Sequence, residues 1–477
     1  MKRAVLHRFS LLLLSQGLAA AGQFAAGVLV ARSLGPGGFG HWSYAVAYTS
    51  VFASFVDFGM SFSILRDLSR GGESMGRYLA NVIGIKVALS AAALVSIIAL
   101  QPVLGGGSEL LPVVLLLGAQ TVLASFTTFL STALYARDRV VLASVVRGGQ
   151  GVLLAGVVAF LVARNAGPVP LAGAYAAAGA VGAAVCVGVA AKHFGRVVPR
   201  IEIAFWRRYL KELSPLALAV MLTTVYYSAD TLMMGLAGLE QEVGWYNAGY
   251  RMIFALLLLV GALNQAFLPD QARALGARGL RASQTVVSYY RAVWALAVPV
   301  IALGPVAAPA VMGLVYGPEY EGGARALQIL LLAGGLTFFS SFFGSLLLLA
   351  HRQRDYLLGV GLGALANIIL NAALIPPFTL HGAAIATVAA EGLVALWMRK
   401  QCLRFLPADV KGAPWKTPAA GLATAGGAVL LIVAGVPDLV AVGAALAGYG
   451  VVLGLTGQLR GAPELSDRTL LEQQRAA

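Results

Sequence analysis

Any chemistry in this chain has to come from a few ionisable and amide side chains set inside long apolar runs. The stretch YYSADTLMMG, Tyr226 to Gly235, carries one carboxylate, Asp230. Arg251 lies in the next apolar run, Arg32 closes the first, Lys86 sits well inside the third, and Glu391 falls near the middle of the twelfth. Asn264 and Gln265 stand together in the eighth. In hydrocarbon each charge costs roughly 2.5 to 3.5 kcal/mol on insertion scales, so each should face a cavity or a partner. A carboxylate so placed can carry a proton or a cation, and an arginine can attract an anion. Equally, Asp230 and Arg251 can form a plain ion pair that clamps one helix to the next. Glu391 can bond to a neighbouring helix, for instance to Asn367 or Asn371, and amides such as Asn264 and Gln265 suit interhelical hydrogen bonds. The five histidines and two cysteines, Cys186 and Cys402, show no ligand spacing, so neither metal site, disulfide nor cofactor is expected. GxxxxGK[ST] and HExxH are absent, which argues against ATP hydrolysis and a zinc peptidase.

The elements that must position these residues are membrane helices. Of 477 residues 59% are hydrophobic and 11% charged, and the mean hydropathy is +0.82, far from a soluble domain with about 25% charged residues. Apolar stretches of about 20 residues predict fourteen spans. They lie near 9–31, 41–60, 78–100, 111–136, 140–163, 169–191, 214–236, 247–270, 290–314, 324–350, 357–376, 381–398, 417–435 and 438–458. The start, MKRAVLHRFSLLLLSQGLAAAGQF, imitates a signal peptide, but its apolar stretch continues to Val30, so a retained first helix is expected. The net charge of +14 does not point to nucleic acid, because no Lys/Arg run is interleaved with aromatics. Instead it sorts by side. Arg32 and Arg164 fall in outside loops and Lys86, Arg251 and Arg325 within or at the edge of spans, while every other lysine and arginine falls in an inside loop or, as Arg147 and Arg291 do, in the inner end of the span beside it. Both termini are therefore expected in the cytoplasm.

By helical rise Asp230 lies roughly 9 Å below the outer end of its helix, with Arg251 at a similar depth, and Lys86 about 12 Å from the inner end of the third. Asp57, before Gly59, reads more as part of a turn than of a site. Pro299, Pro305 and Pro309 should kink the ninth span. Glu319 and Glu321, in the short outer loop VYGPEYEGG, read as solvated. FWRRYLKEL, in the longest loop, reads as an amphipathic connector on the inner surface.

Two halves repeat. RSLGPGGFGHWSYA from Arg32 resembles GLAGLEQEVGWYNAG from Gly235 when Gly40 is set on Gly244, and two further passages, from Leu134 against Leu348 and Leu171 against Leu380, follow in the same order. A unit of six helices is even, so the copies enter the membrane in the same direction and are parallel repeats. The expected divisions are a six-helix lobe over 1–191, a cytoplasmic linker over 192–213, a second lobe over 214–400, a cytoplasmic loop over 401–416, helices 13 and 14 over 417–458, and a cytoplasmic tail over 459–477.

ARSLGPGGFGHWSYA, the DFG at Asp57 to Gly59, ADTLMMG with EVGWYNAGYR, and IPPFTLHGAAIATVAAE at Ile375 to Glu391 together resemble the polysaccharide flippase family, a branch of the superfamily that also holds multidrug exporters and lipid II flippases. That resemblance implies an all-α polytopic fold of two lobes around a central cavity, plus two C-terminal helices. It implies transfer of a polyprenyl-diphosphate-linked glycan across a bacterial plasma membrane by alternating access. Helices 1, 2, 7 and 8 would line the cavity, where Arg32 and Arg251 attract the diphosphate or acidic sugars. Asp230 would tune them or carry a coupling ion, a proton or Na⁺. Membrane lipids are the other partners. The AFRIPN-like element of lipid II flippases is missing. Two alternatives stand beside this reading. A small-molecule antiporter of the same superfamily would want a more acidic, aromatic cavity. A membrane-embedded glycosyltransferase or polymerase would want carboxylates on a sizeable outer loop, and the outer loops here are short.

Overall fold

In hydrocarbon a backbone has no water to bond, so each long apolar run satisfies its own N–H and C=O groups as a helix. The computed structural model describes residues 2–61, 63–64, 75–104, 107–136, 139–194, 198–276, 280–404, 406, 410 and 416–455. The 459–477 tail and most of the 401–416 loop lie outside these residues. Among the described residues the regular elements are helical: α1 (Lys2–Asp57), α2 (Met75–Leu104), α3 (Leu111–Ala136), α4 (Val140–Ala163), α5 (Pro168–Phe194), α6 (Ile203–Leu236), α7 (Glu240–Gly276), α8 (Leu280–Ala302), α9 (Gly304–Tyr316), α10 (Ala324–Leu349), α11 (Gln353–Cys402), α12 (Lys416–Val433) and α13 (Asp438–Leu455), with 3-10 turns at Ser108–Leu110 and Pro318–Gly323.

Eleven of the described helices are long and apolar enough to cross a membrane, and Gly304–Tyr316 and Thr417–Val433 are shorter apolar helices. At 56 and 50 residues, α1 and α11 exceed by far what a hydrocarbon core of about 30 Å needs. Each is broken by one residue off the helical backbone, Gly35 (φ 66°, ψ 176°) beside Pro36, and Thr379 (φ 49°, ψ −126°) after Pro376 and Pro377. The halves then fold back. Gln23 and Ser50 line one cavity, and a Cβ on Gly382 would lie 2.1 Å from the Leu374 carbonyl oxygen. The two halves of α1 are thus the first two predicted spans, those of α11 the eleventh and twelfth, and α8 with α9 the ninth. That ninth span is interrupted at Leu303, where Pro305 has no N–H to continue the ladder and the Leu303 N–H still reaches the Pro299 carbonyl at 2.8 Å. FWRRYLKEL is not a separate connector: α6 runs unbroken from Ile203 past Asp230.

The chain forms two compact units. The first comprises Met1–Arg251, Val315–Gly323 and Asn367–Ala383, the second Met252–Leu314, Ala324–Ala366 and Ala384–Ala477. Lipid tails are as apolar as leucine, so helices associate through close packing and polar contacts rather than an oily stripe. The first unit accordingly buries Tyr78, Phe205 and Tyr209 against Met60, Ile64 and Phe129, with the Tyr209 hydroxyl sharing hydrogen bonds with Ser63 at 2.8 Å and Tyr78 at 2.9 Å. Before α6 the chain is strapped to α2. Arg77 grips Glu202 at 2.5 Å, Asn81 exchanges hydrogen bonds with it at 3.1 Å, and the Arg77 and Asn81 donors hold its carboxyl below the usual carboxylate range. The second unit buries Tyr289, Tyr290, Phe342 and Phe343 against Leu346 and Met398.

Within the first unit the α1 segment after Gly35 meets the start of α7 backbone to backbone. A Cβ on Gly40 would stand 1.8 Å from the Glu240 carbonyl oxygen, and one on Gly244 would stand 1.9 Å from that of Pro36. Each glycine faces the residue four places before the other. Such reciprocity is what a local two-fold between the two segments produces, and these are the glycines that the repeat alignment pairs.

Candidate functional site

The polar residues of the bundle fall into separate clusters. Asp230, on α6, is 1% exposed and accepts hydrogen bonds from the Tyr246 hydroxyl of α7 and the Asn371 amide of α11. Asn371 also donates to Asn367 at 3.0 Å, while its own carbonyl oxygen has no partner. A carboxylate with two donors and a spare amide oxygen beside it groups oxygens that a small cation can use. One turn of α7 beyond Tyr246, Tyr250 stacks on it at 5.6 Å.

Lys86 is fully buried, and its ammonium meets Asp57 at 3.1 Å, with the rings of Phe126 and Phe129 at 5.7 and 5.5 Å. Asp57 also closes the turn after α1: Ser61 donates to it, and Phe58 and Gly59 take positive φ of 45° and 76°. Turn and ion pair are therefore one structure. In the second unit Glu391 accepts from Ser340 at 3.2 Å. Asn264 accepts from the Tyr289 hydroxyl and donates to Ser341 at 2.6 Å, so this amide ties α7 to α8 and α10. Its neighbour Gln265 is exposed.

Arg32 donates to the carbonyl of Val315 at 2.7 Å, capping the last turn of α9 as basic side chains do at helix C-termini. Beside it Tyr320 donates to the Ala31 carbonyl at 2.6 Å and Trp245 to that of Glu319 at 2.8 Å, which fastens the Pro318–Gly323 turn to α1 and α7. Arg251 behaves differently. Its guanidinium lies over the Phe39 ring at 5.7 Å and against Gly27, where a Cβ would fall 1.6 Å from Nη1. It also forms part of the wall of a cavity of about 200 Å³ between the halves of α1, α3, α4 and α5, lined by Gln23, Trp42, Gln120, Gln150 and Tyr175 among others.

Of the residues singled out in the sequence, Asp230, Arg251 and Arg32 fall in the first unit around α1 and α7, and Lys86 forms its own cluster there with Asp57. Asn264, Gln265 and Glu391 belong to the second unit. Gln23, Gln120 and Gln150 carry no charge to mark them in the sequence, although each interrupts an apolar run (AAAGQFAA, LLLGAQTVL, RGGQGVLL), and an amide in lipid needs a polar partner as a charge does.

The helical fold of this chain is shared with solved lipid flippase and multidrug transporter structures. It superposes on a lipid II flippase MurJ in an inward closed conformation with a TM-score of 0.77 at 13% identity, over 94% of this chain and 99% of that one. An inward-facing multidrug resistance MATE family transporter of the MOP superfamily gives 0.63 at 17%, over 81% and 95%. A MOP superfamily transporter from Pyrococcus furiosus gives 0.55 at 16%, over 86% and 97%. At these identities the likeness is one of fold. No curated protein matches the chain in sequence. The sequence profile of the family described as "Polysaccharide biosynthesis protein" matches residues 5–274, more than half of the chain, so the chain belongs to that family, as its sequence motifs imply.

Proposed function

We propose that the protein is a flippase that carries a polyprenyl-diphosphate-linked oligosaccharide from the inner to the outer leaflet of a bacterial plasma membrane for surface polysaccharide synthesis. On this reading it performs no bond chemistry, and the lobes over 1–191 and 214–400 are the bodies that alternate access. The carrying observation is the polar cavity with Arg251 in its wall, inside a membrane bundle of a polysaccharide biosynthesis family member. Its lining includes an arginine and no carboxylate, which suits an anionic, hydroxyl-rich substrate and not a cationic drug. Asp230 supplies the coupling site, taking a proton on its carboxylate or Na⁺ between that carboxylate and the Asn371 amide oxygen. Deleting the gene and probing the lipid-linked oligosaccharide for sidedness tests the proposal. Accumulation in the inner leaflet is expected, and normal sidedness with altered drug resistance sinks it. Asp230→Asn should abolish export at normal protein level; normal export by this variant would rule out coupling through the carboxylate.

A further inference from the structure

Arg251 carries a charge that the protein leaves unmatched. Among the described residues it makes no hydrogen bond or ion pair: its neighbours are the Phe39 ring, the Gly27 backbone and the neutral hydroxyl-bearing Tyr175 and Tyr316, none of which is an anion. Inside a membrane bundle that is a costly state without a compensating ligand, and the fold gives up a side chain to allow it, since any Cβ at position 27 would occupy the guanidinium's place. The rest of the cavity is equally unspent. Gln23, Gln120, Gln150 and the Tyr175 hydroxyl make no hydrogen bond among the described residues, whereas Thr49 and Ser50, also in the lining, give their protons to the carbonyls of Ala45 and Val46 at 2.9 and 2.7 Å.

Three amides each offer a donor and an acceptor, which is how neighbouring hydroxyls on a sugar ring are read. Trp42 and Tyr175, edge to face at 5.2 Å, supply an aromatic wall for its C–H face. A planar guanidinium fork matches a carboxylate in a bidentate way. Resting on the flippase reading, we infer that this cavity takes one monosaccharide residue of the glycan and that the residue bears a carboxylate, a uronic-acid type of sugar, held by Arg251. Phe39 and Gly27 position Arg251. At about 200 Å³ the cavity admits one ring, so the lipid diphosphate is bound elsewhere.

The test uses the full chain in lipid nanodiscs, titrated with methyl β-glucuronide, methyl β-glucoside and inorganic pyrophosphate and followed by saturation-transfer NMR. The glucuronide should bind at least tenfold more tightly than the glucoside. Arg251→Gln should erase that preference while the glucoside still binds, Arg251→Lys should keep part of it, and Gly27→Val, which leaves the arginine but fills its seat, should reduce it as Gln does. Leu259→Ala, exposed on α7, should change nothing, and thermal melting of each variant separates misfolding from lost recognition. Equal binding of both sugars, binding of pyrophosphate alone, or no sugar binding overturns the inference. Each of these leaves the flippase reading intact if the deletion strain still accumulates inner-leaflet intermediate; normal sidedness there sinks the flippase reading whatever the titration gives.

Discussion

Lys86 and Asp57 make a pair whose two halves are unequal. The lysine side chain is fully buried, while that of the aspartate is 20% exposed and also bonded by Ser61. Removing one partner of a buried pair costs about 3–5 kcal/mol because it strands the other charge, so which partner goes decides the outcome. Asp57→Ala leaves an ammonium deep in the bundle with only Phe126 and Phe129 to soften it, at about 0.5–2 kcal/mol for such ring contacts. Lys86→Met removes that ammonium and leaves a carboxylate that water and Ser61 can still satisfy. Asp57→Ala should therefore lower the melting temperature of the purified protein clearly more than Lys86→Met, and the reverse order would contradict the pairing. Depth along each helix is legible from residue spacing, but azimuth is not. Spacing sets Lys86 about 12 Å from the inner surface and Asp57 at a helix end, and their meeting depends on a long side chain reaching back along α2. The same gap hid the partners of Asp230, since Asn371 lies 141 residues away in the chain.

At the scale of elements, the apolar runs are readable because each is long, and the break in the ninth span is readable because Pro305 removes a backbone donor, whereas Pro299 and Pro309 lie within α8 and α9. What could not be read was how little chain a reversal needs. Gly35 and Thr379 each turn a helix with one residue off the helical backbone, where the sequence pattern suggested loops. The seat between α1 and α7 was half legible. The repeat alignment paired Gly40 with Gly244, while their contact is a property of the packed backbones. Alanine at either position puts a methyl group within 2 Å of a carbonyl oxygen, which forces the two segments apart. Overpacking typically costs about 1–3 kcal/mol, and a clash with backbone belongs at the upper end. Because both glycines serve one contact, the costs should not add. Gly40→Ala/Gly244→Ala should melt close to the worse single variant, and a fully additive loss would show that the two glycines act at separate contacts.

At the scale of the whole molecule, the count of crossings fixes where the C-terminus lies. Among the described residues eleven helices qualify as spans when each is counted once, an odd number that would put the termini on opposite sides. The backbone breaks at Gly35 and Thr379 turn α1 and α11 into two crossings each, giving thirteen, still odd. The parity then rests on α12, whose apolar part Thr417–Val433 rises about 1.5 Å per residue and so falls slightly short of a core of about 30 Å. In its favour, α12 is seated on α8 rather than lying apart: a Cβ on Gly421 would be 2.1 Å from Val298, and Ala420 packs with Tyr449 of α13 around the same valine. A helix held between two crossing helices is expected to cross with them. Fourteen crossings would put both termini on one side, which the charge asymmetry predicts to be the side that carries the lysines and arginines. Reporter fusions after Ala166, Arg200, Val436 and Ala477 separate the cases. Alkaline phosphatase should be active at Ala166 and Val436, and a fluorescent protein should fold at Arg200 and Ala477. If Ala166 and Arg200 behave as stated while Val436 reports inside and Ala477 outside, α12 does not cross. If Ala166 and Arg200 exchange sides, the charge asymmetry has been read the wrong way round, and with it the direction of transport.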